Sequence, residues 1–251
     1  FASGSDLQNT FCLTRGQYAF ISHHIGDLEN YATYKAYQEN VNHYQQIFMI
    51  QPEGIACDMH PGYYSTRFAQ AYQKEHPDMR LIKVQHHHAH LAACLADNHW
   101  ESDQPVICFS FDGTGYGTDG AIWGGEVFVG GYTGFQRYSH LKYFDLPGGD
   151  MAIRKPARIA LALLSSYDQL WKESLSPVEY FSQTERDILQ LQLQQRINTV
   201  YTSSMGRLFD AISSILNICH EATYEGQAAI ELETHIDPDE KGFYDFSIEN
   251  G

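Results

Sequence analysis

At 251 residues, 43% hydrophobic and 14% aromatic, the chain has a globular composition and is long enough to bury one large core or two lobes. Its formal net charge of −15 argues against nonspecific nucleic-acid binding, which neutralises phosphates with Lys and Arg, and reads most simply as an aid to solubility. No apolar run approaches the roughly 20 residues of a membrane span. The start at Phe1 in strand-like sequence lacks a charged-then-apolar leader, so both ends read as cut from something longer. Cys12, Cys57, Cys94, Cys108 and Cys219 are odd in number and show no C-x-x-C spacing. Four of them lie in apolar stretches and read as buried thiols, which points to a reducing compartment, the cytoplasm.

In chain order, the first elements are two paired strands, 9–14 and 17–24, joined by a turn at Arg15-Gly16. Asp27 offers an N-cap for a helix over 29–48, where Tyr34, Tyr37, Val41, Tyr44 and Phe48 fall at helical spacing. A short strand at 54–58, a helix at 64–73, a strand at 80–85 and a helix at 87–98 follow. That order predicts an α/β lobe with a mixed sheet over residues 1–104. From Pro105 a second lobe, 105–251, begins with an apolar strand at 106–111. The glycine-rich run Asp112–Gly120 comes next, then a strand at 121–132. Helices are expected at 156–164, 185–199, 205–218 and 226–233, and a strand at 242–248.

His86-His87-His88-Ala89-His90 lies between a strand and a helix. His86 and His90 stand four apart on one helical face, which suits two imidazoles gripping one metal ion; His87 and His90 form the competing pair. Imidazole suits zinc, iron and nickel alike, and at least one further ligand must come from elsewhere. A polar surface tract, or histidines satisfied by backbone carbonyls, is the plainer alternative. His23-His24 are weaker candidates, since strand alternation puts them on opposite faces.

Gly115 to Gly120 matches G-x-G-x-x-G after a strand, but strand-like AIWGGEVFVGGY follows where a dinucleotide fold needs a helix. The run instead reads as a hairpin whose backbone N–H groups, at Gly113, Gly115 and Gly117, can cradle phosphate. The Thr114 and Thr118 hydroxyls could add donors, and Asp112 could hold a metal or a metal-bound water. Pro147-Gly148-Gly149-Asp150 is a second turn where backbone can approach a ligand, and Arg154 and Lys155 follow it; an ordinary surface turn is the competing reading. The helix starts at Ser203–Arg207 and Glu225–Gln227 favour anions, though solvated faces explain both.

Eight segments carry a family resemblance: NTFCL, HIGDLEN, ACDMHPGYYSTRFA, VQHHHAHLAA, FDGTGYGTDGAIWGGE, DLPGGDMAIRKPAR, TSSMGRLFDA and YEGQAAIELE. In this order they resemble the C-terminal, TsaD/Kae-like domain of HypF-type carbamoyltransferases, which mature NiFe-hydrogenases. The resemblance implies a two-lobed actin/hsp70/sugar-kinase (ASKHA) fold, its second lobe incomplete here. It selects His86 and His90 as ligands of a divalent metal, iron or zinc, and places a further Asp ligand beyond Gly251. It also implies ATP or AMP, in the form of carbamoyl adenylate made by an upstream YrdC-like domain. The Asp112–Gly120 run would hold its phosphate, and Gly148, Gly149 and Asp150 the nucleotide. The carbamoyl acceptor would be the C-terminal cysteine of the partner HypE. Two other readings are an O-carbamoyltransferase acting on a small-molecule hydroxyl and a noncatalytic nucleotide-binding scaffold.

Overall fold

A computed structural model of the protein describes residues 1–249, the side chain of Asp150 excepted. It is a mixed α/β structure of two compact units, Phe1–Lys142 and the residues from Tyr143 onward. The lobe boundary expected from the sequence lies at 104/105. The strands that follow that point cluster with the first unit, because the histidine helix packs against them.

The first unit opens on the expected hairpin, β1 (Cys12–Arg15) antiparallel to β2 (Tyr18–Ile21), with Gly16 at φ 59° in the turn. Helix α1 spans Tyr31–Ile47, and Asn30 rather than Asp27 caps it, accepting from the Ala32 and Thr33 amides at 2.9 and 3.3 Å. Backbone bonds from Asn9 to Gly26 and from Leu28 to Asp6 tie down the chain before Asn30; the Asn30 amide closes a turn on the Asp27 carbonyl, and the Asp27 side chain accepts from the Gln8 amide instead of capping the helix. Tyr37 and Val41 of α1 close a core with Phe11, Leu13, Leu28 and Ile50.

Strands β3 (Gly54–Asp58) and β4 (Arg80–Val84) run parallel, with Asp58 opposite Val84, and α2 (Tyr64–Glu75) joins them. Helix α3 covers His86–Asp97. Strands β5 (Val106–Tyr116), β6 (Ile122–Gly131) and β7 (Gly134–His140) then form an antiparallel meander. The glycine-rich run is therefore mostly strand: Asp112–Tyr116 continues β5 through a register shift between Phe111 and Gly115, and the turn proper is only Gly117–Ala121.

In the second unit β8 (Phe144–Pro147) pairs antiparallel with β9 (Thr199–Thr202). Around this pair lie α4 (Asp150–Arg154), α5 (Pro156–Ser166), α6 (Ser176–Tyr180), α7 (Gln183–Gln195), α8 (Met205–Ile215) and α9 (Gln227–Glu233). Leu161, Val178, Phe181 and Leu189 form its core. Ser182 and Glu185 make a capping box at the start of α7. Arg196, in the left-handed region, caps α7 after Gln195, four residues short of the expected Thr199, which belongs to β9. Residues 242–248 are not the expected strand: they pair with nothing among the described residues, and Phe243, Tyr244, Phe246 and Ile248 are exposed. A strand without a ladder has no gain to offset its ordering. Among the described residues no helix is long and apolar enough to cross a membrane.

Candidate functional site

The carboxyl ends of β3 and β4 lie side by side, the position where α/β sheets gather ligand-binding groups. Gln85 makes the turn from β4 into α3. Its side-chain oxygen accepts from the His88 amide at 2.9 Å, so the helix starts at His86, one residue earlier than expected. The helical pitch then puts His86 and His90 on one face, their Nε2 atoms 3.2 Å apart. Asp112 arrives from β5 at the same point, with Oδ2 3.3 Å from His86 Nε2 and 3.8 Å from His90 Nε2. These three residues each offer a ligand atom, all within 4.8 Å of one another.

Asp58, at the end of β3, had no assigned role in the sequence. Its Oδ2 accepts from His86 Nδ1 at 2.9 Å, and its Oδ1 accepts from the His60 amide at 2.7 Å. A carboxylate on Nδ1 fixes the His86 ring and turns Nε2 toward Asp112, the outer-shell arrangement common to metal-binding histidines. The β3–β4 register brings Asp58 beside the residue that leads into the histidine tract, a placement that spacing along the chain does not give.

The charges are arranged for a cation. Burial opposes protonation of His86, but Asp112 and Asp58 outweigh it and raise the imidazole to about 9. Burial likewise pushes Asp112 up, yet His86 and His87 hold its carboxyl well below the usual carboxylate range. His90 is lowered by burial and then by the neighbouring His86, which keeps its lone pair free for coordination. Two imidazoles and a carboxylate, with a second carboxylate behind, form a donor set that fits zinc or ferrous iron.

The remaining residues singled out from sequence divide between the two units. In the first, Gly113 donates its amide to Asp112 Oδ1 at 2.6 Å, and Thr114 is half-buried. A Cβ on Gly115 would stand 2.2 Å from His87 Cε1, and one on Gly117 2.2 Å from Trp123 Nε1. Those two glycines thus make room for the protein's own rings. His87 is fully buried, while His23 and His24 are exposed. In the second unit Gly148 and Gly149 take φ 98° and 54°, conformations that favour glycine, and the Asp150 side chain lies outside the described residues. Ser204 caps α8 through the Arg207 amide at 3.1 Å, and Arg207 pairs with Asp210 in the interior. Of the five thiols, four of them expected to be buried, Cys57 and Cys219 are buried, Cys12 and Cys108 are half-buried and Cys94 is exposed. Burial raises the Cys12, Cys57, Cys108 and Cys219 thiols, so none of these four is an activated nucleophile.

Residues 1–97 match the family model of the HypF Kae1-like domain, and residues 108–251 that of the carbamoyltransferase Kae1-like domain, second subdomain. Carbamoyltransferase HypF2 of Cupriavidus necator is 42% identical over 92% of this chain and 28% of its own length. Carbamoyltransferase HypF of Synechocystis is 36% identical over 99% of this chain and 34% of its own length. The crystal structure of a full-length HypF in its phosphate- and nucleotide-bound form superposes with a TM-score of 0.90 at 43% identity, covering 100% of this chain and 32% of that one. The chain therefore spans about a third of the length of these relatives.

Proposed function

The chain belongs to the HypF carbamoyltransferase family, and from that premise we propose that it carries the carbamoyl-transfer site of a longer protein. Its mixed α/β architecture agrees with the ASKHA-like fold that the resemblance implies. The observation that carries the proposal is the convergence of His86, His90 and Asp112 on one point, with Asp58 behind His86.

In this reading His86, His90 and Asp112 hold a divalent metal, iron or zinc, and Asp58 keeps the His86 ring in register. The bound ion supplies Lewis acidity, polarising a carbonyl or phosphoryl oxygen. The substrate is carbamoyl adenylate, supplied by an upstream YrdC-like domain. The Asp112–Gly120 run, which includes Gly115, is the candidate for its phosphate, through the Thr114 and Thr118 hydroxyls more than the Gly113 and Gly117 amides, which donate to Asp112 Oδ1 and the Ala121 carbonyl. The Gly148–Gly149 turn with Asp150 is a second nucleotide-contact candidate. The nucleotide in the related full-length structure supports a nucleotide ligand.

The acceptor is the C-terminal cysteine of HypE. Its thiolate sulfur attacks the carbamoyl carbon, the bond from that carbon to the phosphate oxygen breaks, and AMP leaves with the electron pair. A nucleophile brought by the partner agrees with the raised thiols of this chain. The acidic net charge suits a protein partner better than nucleic acid, and the free cysteines suit the cytoplasm.

The test uses the full-length protein, ready-made carbamoyl adenylate and a peptide of the HypE C-terminus. His86→Ala and His90→Ala are each expected to lose bound metal, and transfer is expected to fall roughly 100-fold or more, beyond the 10–100-fold typical of outer-shell changes. Metal and transfer retained in both variants would sink the proposal.

A further inference from the structure

His87 lies between the two histidines assigned to the metal, and spacing alone left it a rival ligand. Its surroundings decide its chemistry. The ring is fully buried, flanked by Trp123 and Phe128 with centroids 6.3 Å away in each case. Gln85, itself 3% exposed, fixes the tautomer. The Gln85 side-chain oxygen must be the atom facing the His88 amide, because a backbone N–H can only donate. The amide nitrogen of Gln85 is therefore the donor on the other side. It reaches the Tyr116 carbonyl at 3.2 Å, an obligate acceptor, and His87 Nδ1 at 3.1 Å. His87 Nδ1 thus accepts, and the ring's proton sits on Nε2.

That Nε2 is buried without a straight hydrogen bond and lies 3.2 Å from Asp112 Oδ2, the oxygen that also faces His86 and His90. Gly115 is the glycine that admits the ring to this position. We propose that His87 is not a metal ligand but the positioning residue of Asp112: an imidazole whose Nδ1 is held as an acceptor by Gln85, which leaves its buried Nε2–H 3.2 Å from Asp112 Oδ2. This hold excludes coordination through Nε2, since a protonated nitrogen has no lone pair to give. The consequence for metal binding rests on the metal reading of the site; the tautomer does not.

The two parts are tested separately. In metal-free full-length protein labelled with nitrogen-15 at histidine, the His87 signals, identified by their loss in His87→Gln, are expected to report an Nε2–H ring. A proton on Nδ1 overturns the inference. In zinc titrations against a competing chelator, His87→Phe, which keeps a ring but has no N–H, is expected to bind about 10–100-fold more weakly than wild type. His87→Gln, whose amide can place an N–H near the Nε2 position, is expected to recover most of that loss. Equal zinc affinity in wild type and His87→Phe overturns the inference. Wild-type protein that binds no zinc defeats the metal reading instead, and the tautomer measurement still decides the assignment of His87.

Discussion

A protonated imidazole in the first turn of a helix stands against the positive end of the helix dipole. His86 occupies that position in α3 and is nevertheless raised to about 9, because Asp112 and Asp58 outweigh burial. Two anions around one imidazole are costly unless a positive charge answers them, and a divalent cation answers them better than a proton does. Asp58→Asn keeps the acceptor and removes its charge. We expect metal affinity to fall roughly 10–100-fold with folding intact, as read by chelator competition. Unchanged affinity would reduce Asp58 to a turn residue bonded to the His60 amide. Gly115→Ala tests the neighbouring contact. Its Cβ would meet a buried imidazole, so a loss of about 1–3 kcal/mol in urea unfolding is expected.

Individual elements show where sequence periodicity stops being informative. The β1–β2 hairpin, the β3-α2-β4-α3 order and α5 were legible because each has its own apolar pattern or turn residue. For α2 the start at residue 64 was legible, but its cap was not. Its first amides, Tyr64 and Ser65, donate at 2.8 and 2.9 Å to Asp6, a cap supplied from 58 and 59 residues away in sequence. Asp6→Ala should cost about 1–2 kcal/mol in the unfolding free energy, and no loss would show that the cap is replaced by solvent. The extent of β5 was also hidden, since glycines in Asp112–Tyr116 read as a loop until pairing with β6 makes them strand. Pairing with β6 also shelters Glu126, which is fully buried, accepts from the Gly124 and Gly125 amides and pairs with Arg137 at 2.9 Å. Arg137→Leu would strand that buried carboxylate. A loss of about 3–5 kcal/mol is expected in the same unfolding assay, and a loss under about 1 kcal/mol would mean that solvent reaches Glu126.

Across the molecule, the candidate ligands found among the described residues, His86, His90 and Asp112, all lie in the first unit. His86 and His90 were legible as a pair from helical spacing, although the choice against His87 came from family resemblance. Asp112 was legible as a residue that could hold a metal or a metal-bound water, but its meeting with His86 and His90 was not, and Asp58 not at all, because strand register decides both. Metal binding should therefore protect a particular set of amides. Zinc added to the full-length protein is expected to slow hydrogen exchange in peptides covering 54–60, 84–98 and 108–126. Protection confined to residues after 142 would place the site elsewhere. X-ray absorption at the metal edge of the full-length protein is the most direct test of the central claim. The expected first shell is nitrogen and oxygen with the signature of two imidazoles, one of which is lost in His90→Ala. A shell containing sulfur, or one unchanged by His90→Ala, would contradict it.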